Sequence, residues 1–428
     1  MTDLMQIYNQ KKVTPEEAVK NIKPGDAIVY PIAPGEPVLL HKALGDYEGL
    51  SNNTLYRALT HVPTYDLPKD KLKQVSIFLG GDRKAMNEGL VELLPNHFGD
   101  TPDLIKMRED QITIMITVSP MDDKGYFSFG LSNSYVGGLL DVADRIIVEV
   151  NENYPYTYGE NHHVHVEDVA ALVESSEPIP TLQNPEIDEK SKKIGEIIAE
   201  LIPNEATLQI GYGAVPSAVM NNLMDKKDLS FHTEMLPDNA IELEKSGAVT
   251  NTKKETHVGK TVTTFAMGTE KLYEWLNYNE DVYFLPVDQS NNLLNIAKED
   301  NLYTVNATIQ VDFLGQCNSE KLPGMYYSST GGQSDFGKGV RLTTNGVGII
   351  ALNSTASNDS ISTIVPSLYS DAAVSTSKND IDYVVTEYGA ARLKGKTINE
   401  RVEALISIAH PKFRDELTEE ARKLNYLK

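Results

Sequence analysis

Short apolar runs alternate with segments of helical spacing along the first part of the chain. The runs are rich in β-branched residues, which is typical of strands buried in a parallel sheet. They lie at residues 27–30, 75–79, 112–118 and 145–150. Thr14 followed by Pro15 predicts the start of a helix, which is expected to end at residues 21–25. A second helix is predicted to run through Leu44. Strands that alternate with helices predict βαβ units and a mostly parallel sheet.

The same alternation returns after a linker rich in Pro and Ser. The linker covers residues 175–185, and residues 187–202 carry apolar side chains at helical spacing. Strand-like runs follow at residues 207–210, 261–265, 282–285, 347–351 and 383–385. The chain of 428 residues is long enough for two large domains. We therefore predict an α/β protein of two open α/β domains with mostly parallel sheets, over residues 1–184 and 185–428.

Composition and charge exclude several classes of function. With 61 acidic against 39 basic residues and a net charge of −22, the chain lacks the overall basic character of a nucleic-acid-binding protein. Its one cysteine, Cys317, can form no intrachain disulfide, and no apolar run reaches the ~20 residues of a membrane helix. The polar segment 1–12 holds no apolar core of signal-peptide length. The expected location is cytoplasmic, with neither nucleic acid nor membrane as a partner.

Residues 209–213 lead a predicted strand into a glycine-rich turn, and a helix is predicted from about Pro216. Glycine permits close approach of a ligand, and a helix N-terminus offers unpaired N–H groups to an anion. The segment is therefore a candidate phosphate or pyrophosphate site. It nearly matches the dinucleotide-binding fingerprint, and Glu234 stands where a ribose-binding carboxylate is expected. A dinucleotide-dependent oxidoreductase, with Glu234 binding ribose, is one alternative function.

A second glycine-rich segment covers residues 328–339. The spacing of Gly332 and Lys338 imitates a P-loop, but Gly339 stands where that motif needs a magnesium-binding Ser or Thr. Gly331 and Gly332 instead offer two backbone N–H donors with no side chains in the way. Such donors suit an oxyanion hole for a thioester carbonyl.

Glu234 follows the short apolar run 229–231 and is followed by Pro237 and two turn-forming residues. A glutamate at a strand end, next to tight backbone, is placed to attack an electrophile or to accept a group. Other candidate sites are weaker. The chain has no Gly-x-Ser-x-Gly sequence, which argues against a common serine hydrolase. No metal site is predicted from His162, His163 and His165, because their spacing matches no strong zinc signature.

These segments resemble the acetyl-CoA hydrolase/transferase family of CoA-transferases, especially members that move CoA between acetate and a butyrate-type acid. The family pattern Glu-Met-x-x-Asp-Gly matches from Glu234 onward, with Asn239 in place of Gly. Asn tolerates positive φ, so the turn is expected to survive. The family's Gly-Gly-Gln-x-Asp-Phe stretch matches from Gly331, although Ser329 stands where the family often has Gly. Further matches follow in register at residues 119–127, 149–153, 165–166, 268–273, 286–288, 306–312, 385–389, 394–396 and 408–414.

The resemblance implies that Glu234 is the nucleophile that becomes a glutamyl-CoA thioester. The residues expected to bind CoA are Gln209, Ile210, Gly211, Tyr212, Gly213, Asn306, Ser329, Gly331, Gly332 and Gln333. The residues expected to support the site are Asp238, Asp335 and Glu387. Coenzyme A is then a substrate, with no tightly bound cofactor, and the partners are an acyl-CoA and a carboxylate.

Two further functions stay open beside CoA transfer. An acyl-CoA hydrolase is closely related, because water that reaches the intermediate would hydrolyse it. A non-catalytic CoA-binding protein is a third hypothesis, which the intact Glu234 and both glycine-rich segments disfavour. A homodimer is the default assembly for an enzyme of this kind.

Overall fold

The computed structural model describes residues 4–428. Packing divides the chain into two compact units. The first comprises the residues up to Gln183 together with Val262–Ser290, and the second comprises Asn184–Thr261 with Asn291–Lys428. The mixed α/β character and the mostly parallel sheets predicted from the sequence are confirmed.

The units differ from the predicted domains in one segment. The chain first changes unit between residues 183 and 184, within the predicted linker, but residues 262–290 pack in the first unit rather than the second. In this segment the strand Val282–Phe284 pairs with Tyr158–Gly159 of the first unit. A strand-like pattern shows that a segment joins a sheet without showing which sheet, and this explains the difference.

The first unit is built on a seven-stranded sheet in which all neighbouring strands are parallel. In spatial order the strands are Ala171–Ser175, Arg145–Asn151, Ile112–Val118, Ala27–Ile32, Asn53–Ala58, Leu72–Phe78 and Val91–Leu93. Every residue of the two central strands, Ala27–Ile32 and Ile112–Val118, is buried. This burial on both faces explains why they appear in the sequence as continuous apolar runs rather than alternating ones.

The second unit is built on a six-stranded sheet. In spatial order the strands are Ser230–Phe231, Thr207–Ile210, Leu302–Ala307, Val347–Ala351, Tyr383–Thr386 and Gly389–Arg392. The first five are parallel, and the last is antiparallel to its neighbour. The carboxyl ends of parallel strands meet at one edge of a sheet, which is where open α/β folds place ligands. The residues that follow Phe231, Ile210 and Ala307 therefore share that edge.

Helices alternate with the strands along the chain and connect them. The α-helices are Leu4–Lys11, Pro15–Ala18, Val38–Gly45, Arg83–Asn87, Thr101–Arg108, Glu189–Leu201, Ala214–Asn221, Asn239–Lys245, Glu270–Leu276, Val287–Ser290, Leu293–Ile296, Gln333–Gly339, Ile398–Ile408 and Pro411–Lys423. Thr14 caps its helix as predicted, with a reciprocal hydrogen bond to Glu17. No helix within residues 4–428 is both long and apolar enough to span a membrane.

Short strands complete the two units. They are Tyr126–Ser128, Tyr158–Gly159, His163–His165, Met235–Leu236, Thr261–Thr263, Phe265–Ala266, Val282–Phe284, Gln310–Asp312, Cys317–Asn318, Lys321–Leu322, Met325–Tyr326, Thr355–Ala356, Ile361–Ser362 and Ile364–Val365. In the second unit, Lys321–Leu322 and Met325–Tyr326 form an antiparallel pair shortly before the glycine-rich segment 328–339.

Candidate active site

Glu234 lies just beyond the strand Ser230–Phe231, at the carboxyl edge of the second unit's sheet. The backbone N–H of His232 donates to the Leu208 carbonyl at 3.0 Å. The hydroxyl of Thr233 donates to the Ile210 carbonyl at 3.1 Å. These bonds anchor the segment that carries Glu234 to the neighbouring strand, directly before the glycine-rich turn.

Three groups surround the carboxylate of Glu234. The buried amide Nδ2 of Asn291 donates to Glu234 Oε2 at 2.8 Å and approaches Asp335 Oδ2 at 3.3 Å. The backbone N–H of Gly332 donates a further hydrogen bond to Glu234. Because an amide NH₂ group has two hydrogens, Asn291 can serve both carboxylates at once. The amide therefore fixes the orientation of Glu234 next to a second acid.

The environment of Glu234 raises its pKa to about 7. Burial is the main cause, and the negative charge of Asp335 adds to it, whereas the hydrogen bonds from Asn291 and Gly332 lower the pKa. The residue retains some exposed surface, but its carboxylate is enclosed by these three groups. A carboxylate with a raised pKa is more basic than an ordinary glutamate, and so a stronger nucleophile once ionised.

Gly331 and Gly332 need to be glycine for different reasons. Gly331 has φ +58°, in the left-handed region that favours glycine. Gly332 has ordinary backbone angles, but a Cβ there would collide with Glu234 Oε2 and Asn291 Nδ2. The second requirement comes from the site itself, because the backbone of residue 332 has to lie directly against the carboxylate of Glu234.

The turn at residues 211–213 leaves space above its backbone. Gly213 has φ +142° and immediately precedes the helix Ala214–Asn221, which has no side-chain cap. A Cβ at Gly211 would meet no protein atom within 4 Å. Neither the backbone angle nor the packing of the protein requires glycine at position 211. The open space and the uncapped helix start are what an anionic ligand that approaches the main chain would need.

Several predicted site residues lie close to these groups. Gln209 and Asn306 pair through their amides across neighbouring strands, with Asn306 Nδ2 donating to Gln209 Oε1 at 2.9 Å. Tyr212, in the glycine-rich turn, has a raised pKa. Burial of part of its side chain is the main cause, and the negative charge of the buried Asp238 adds to it. Ile210 contributes its carbonyl to Thr233.

Two further predicted CoA-binding residues lie in the second glycine-rich segment. Ser329 is buried, and Gln333 begins the helix Gln333–Gly339. The Gln333 amide donates to Thr376 Oγ1 at 3.0 Å.

Glu387 lies elsewhere on the same sheet edge. It follows the strand Tyr383–Thr386, four strands from Ser230–Phe231, which corresponds to roughly 19 Å at ordinary strand spacing. Among residues 4–428 its polar partners are Ser354, which donates through its N–H at 2.9 Å and its hydroxyl at 2.7 Å, and Lys190 at 3.9 Å. Glu387 is therefore not brought to the carboxylate of Glu234.

Asn239 does not adopt the positive φ expected from the family's glycine. It is the first residue of the helix Asn239–Lys245 and is absent from the left-handed region. Its side chain accepts from Ser217 Oγ at 3.3 Å and donates to Asn221 Oδ1 at 3.1 Å. The prediction of a left-handed turn was wrong, because the chain enters a helix at this point. Asn239 instead connects that helix to the helix that follows the glycine-rich turn.

His162, His163 and His165, the histidines considered above for a metal site, make contacts within the protein. His162 Nε2 lies 2.7 Å from Thr157 Oγ1, and its ring stacks on Phe284 at 4.9 Å. His163 and His165 each lie within hydrogen-bonding distance of a backbone carbonyl. Across the described residues 4–428, no group of three His, Cys, Asp or Glu side chains is arranged to hold a metal ion.

Asn291 is the site residue that sequence reasoning missed. It lies 57 residues from Glu234 along the chain, and no local pattern marks it. The only signal was indirect, since the family-like segment 286–288 ends shortly before it.

Comparison with known proteins identifies the family. Residues 2–183 match the model of the acetyl-CoA hydrolase/transferase N-terminal domain, and residues 268–421 match that of the C-terminal domain. The chain is 42% identical over 422 residues to a succinyl-CoA:cyclohexane-1-carboxylate CoA transferase of Geobacter metallireducens, covering 98% of this chain and 96% of that protein. It is 43% identical over 424 residues to a 4-hydroxybutyrate coenzyme A transferase of Clostridium kluyveri, covering 98% and 99%.

A solved structure extends the likeness to the fold. The crystal structure of RipA from Yersinia pestis aligns over 100% of both chains with a TM-score of 0.92 and 37% sequence identity. The chain therefore belongs to the acetyl-CoA hydrolase/transferase family and is an enzyme of the CoA-transferase type. This result confirms the resemblance inferred from the sequence, and it removes the support for a dinucleotide-dependent oxidoreductase.

Proposed function

We propose that this enzyme exchanges CoA between a short-chain acyl-CoA and a carboxylic acid such as acetate, through a thioester between Glu234 and CoA. The observation that carries the proposal is the carboxylate of Glu234, held by Asn291 at 2.8 Å and by the Gly332 N–H at the carboxyl edge of the second unit's sheet. The relatives named above act, by their names, on acyl-CoA thioesters and organic acids.

The reaction proceeds in two pairs of steps. Glu234 attacks the acyl-CoA carbonyl, the C–S bond breaks, and an acyl-glutamyl anhydride and CoA thiolate form. The thiolate attacks the glutamyl carbonyl and releases the first carboxylate, which leaves the glutamyl-CoA thioester. The second acid then attacks this thioester and forms a new anhydride with release of the thiolate. Attack of the thiolate on the new acyl carbonyl gives the product thioester and regenerates Glu234.

The site suits a reaction that transfers no proton overall. Each step exchanges one carboxylate or thiolate for another, so no general acid is required. The pKa of Glu234, about 7, keeps a large fraction of the nucleophile ionised at neutral pH while making it more basic than an exposed glutamate. Burial also limits the access of water, which matters because an anhydride hydrolyses readily.

The Gly332 N–H is the proposed oxyanion donor. In the resting enzyme it donates to the carboxylate of Glu234. The carboxyl carbon of Glu234 becomes tetrahedral when the thiolate attacks the anhydride and again when the second acid attacks the thioester. In both steps the N–H is already directed at the oxygen that gains negative charge. A donor that is oriented in advance stabilises the transition state without reorganisation.

The proposed CoA site depends on the main chain rather than on cations. The chain carries a net charge of −22, and the phosphates of CoA are anionic. Backbone N–H groups at the uncapped start of the helix Ala214–Asn221 can bind an anion without a local excess of Lys or Arg. The open space at Gly211 supports such a close approach. Gln209, Tyr212, Asn306, Ser329 and Gln333 are proposed to line the same site.

Hydrolysis of an acyl-CoA is the second candidate function, because the family includes hydrolases by its description. Steady-state kinetics separate the two. The transferase should follow ping-pong kinetics, with parallel double-reciprocal lines at several acid concentrations, because the first acid leaves before the second binds. Intersecting lines contradict the thioester intermediate, and CoA release that does not depend on the acceptor acid indicates a hydrolase. The homodimer and the cytoplasmic location stay predictions from the sequence.

A further inference from the structure

Three charged or titratable side chains lie buried within or against the segment that carries Glu234. Lys254 is 3% exposed, Glu299 0% and His232 1%. All three belong to the second unit. None of them has a part in the CoA exchange described above, and none is exposed enough to meet a substrate. We use the name buried triad for Lys254, Glu299 and His232.

Lys254 holds the end of the strand that precedes Glu234. Its Nζ donates to the Phe231 carbonyl at 2.7 Å and to the Lys260 carbonyl at 3.2 Å. Phe231 is the last residue of its strand and stands three residues before Glu234. A charged donor to a buried carbonyl forms a strong hydrogen bond, so Lys254 fixes the point from which the segment 232–234 leaves the sheet.

Glu299 contacts the His232 ring and the backbone directly after Lys254. It accepts from the N–H of Glu255 at 3.1 Å and from the hydroxyl of Thr256, and His232 Nδ1 lies 3.5 Å from its Oε1. Burial would raise the pKa of Glu299, but the nearby His232 ring, the charge of Lys254 and the hydroxyl of Thr256 outweigh it and hold the pKa at about 2. Glu299 is therefore an anion, coupled to Lys254 through their charges rather than through a direct salt bridge.

His232 connects the buried triad to the opposite side of the active site. Its ring packs edge-on against Phe336, with 6.1 Å between the ring centroids. Phe336 is the neighbour of Asp335 in the helix Gln333–Gly339, which starts beside the Gly332 N–H. The buried triad thus contacts both the segment 231–233 and the helix Gln333–Gly339. The relative position of these two segments sets the geometry around Glu234.

Burying two opposite charges is an expensive way to hold a fold together, because apolar side chains of similar volume are often equally stabilising or more so. What apolar side chains cannot do is hold the carbonyl of Phe231 in place. We propose that Lys254 and Glu299 are positioning residues of the CoA transfer, which fix the segment 231–233 so that Glu234 meets the Asn291 amide and the Gly332 N–H. The inference rests on the proposed function of Glu234.

A positioning role predicts a particular kinetic signature. The hydrogen bonds of Lys254 go to Phe231 and Lys260 and those of Glu299 to Glu255 and Thr256, away from the turn at residues 211–213 where CoA is proposed to bind. Loosening the segment should therefore lower kcat and leave the KM for acyl-CoA within about twofold. A misplaced nucleophile is costly, since displacements near 1 Å lower rates by roughly 10²-fold.

Paired removal of charge separates positioning from stability. Lys254→Met and Glu299→Gln each leave one buried charge without the opposite charge that offsets it, so both single variants should lose thermal stability and kcat. The double variant Lys254→Met/Glu299→Gln has no unpaired charge, and its Tm should recover towards that of the wild type. Its kcat should stay at least tenfold low, because the Phe231 carbonyl still lacks its donor. Recovery of kcat together with Tm would overturn the proposal.

Two more variants complete the test. Lys253→Met changes the adjacent lysine, which is exposed and paired with Glu205 on the surface, and should keep the wild-type kcat. If the double variant does not fold, Thr256→Val decides the question, because it removes one hydrogen bond to Glu299 and keeps every charge. A kcat lowered about threefold at unchanged KM supports positioning, and a wild-type kcat overturns it.

Failure of this inference can be told apart from failure of the proposed function. The rate of forming a CoA adduct on the peptide that contains Glu234 should be measured in the wild type and in the variants. A wild type without adduct refutes the thioester mechanism itself. A wild type with adduct, together with a double variant that forms it equally fast, refutes only the positioning role of Lys254 and Glu299.

Discussion

The backbone of Gly332 lies against the carboxylate of Glu234, in the space where any other residue would place its Cβ. The two residues are 98 positions apart, yet the N–H of one donates to the side chain of the other. The requirement for glycine at position 332 is therefore set by the nucleophile and not by the local turn. Position 331, by contrast, needs glycine for its φ of +58°.

Gly332→Ala should abolish most of the turnover. The added methyl group has to displace Glu234 Oε2 or Asn291 Nδ2, so the nucleophile and the oxyanion donor lose their alignment. Loss of one such donor costs roughly 10² or more in kcat. Gly337→Ala in the same helix is the matched control, because its Cβ would make only ordinary contacts from 3.5 Å. Equal kcat values for the two variants would contradict the assignment of Gly332.

Asn291→Ala should lower kcat and shift its pH dependence upward. The Asn291 hydrogen bond lowers the pKa of Glu234, so its removal leaves a carboxylate that is harder to ionise. A hydrogen bond to a charged group contributes about 1.5–3 kcal/mol, which corresponds to roughly a tenfold to hundredfold loss. Steady-state rates from pH 6 to 9 measure both effects. Asn292→Ala is the control, because Asn292 is exposed and caps the helix Leu293–Ile296 instead.

The wild-type kcat/KM for an acyl-CoA should rise with pH to a plateau, with a midpoint near 7. The nucleophile has to be ionised, and burial together with Asp335 raises its pKa to about 7 from the ordinary value of 4.5. The kcat/KM should therefore change mainly between about pH 6 and 8, rather than near pH 4.5. A rate that is constant from pH 5.5 upward would mean that the reacting group is an ordinary carboxylate or another residue.

Glu234→Gln should make the protein more stable at neutral pH and above. Because the folded state binds the Glu234 proton more tightly than the unfolded state, the unfolding free energy of the wild type falls as pH rises from about 4.5 to about 7. Glutamine does not ionise, so the stability difference between variant and wild type should widen across that window by roughly 3 kcal/mol and then stay constant. Urea unfolding at pH 4.5, 6 and 8 tests this, and a difference independent of pH contradicts it.

The sequence predicted the sheets well because their strands are buried on both faces. Ile112–Val118, Thr207–Ile210 and Val347–Ala351 were predicted with the bounds they have, since short runs rich in apolar and β-branched residues are typical of such strands. The membership of residues 262–290 could not be predicted in the same way. Which sheet a strand joins depends on contacts with distant residues, and these leave no periodic signal.

The candidate site shows the same division between local and distant information. Glu234 and the glycines at 211, 213 and 332 were predicted because each occupies a local pattern with a chemical purpose. Asn291 and Lys254 have no such pattern, since each acts through hydrogen bonds to residues far away along the chain. Asn239 was misjudged because the turn chemistry of the family's glycine was assigned to a residue that begins a helix.

The most direct test of the central claim is to trap CoA on Glu234. The enzyme is incubated with an acyl-CoA in the absence of an acceptor acid, digested, and analysed by mass spectrometry. The account predicts a CoA adduct on the peptide that contains Glu234 and no adduct in the Glu234→Gln variant. Adding a carboxylic acid should remove the adduct and produce the new acyl-CoA. An enzyme that turns over with no adduct, or with an adduct on another residue, would contradict it.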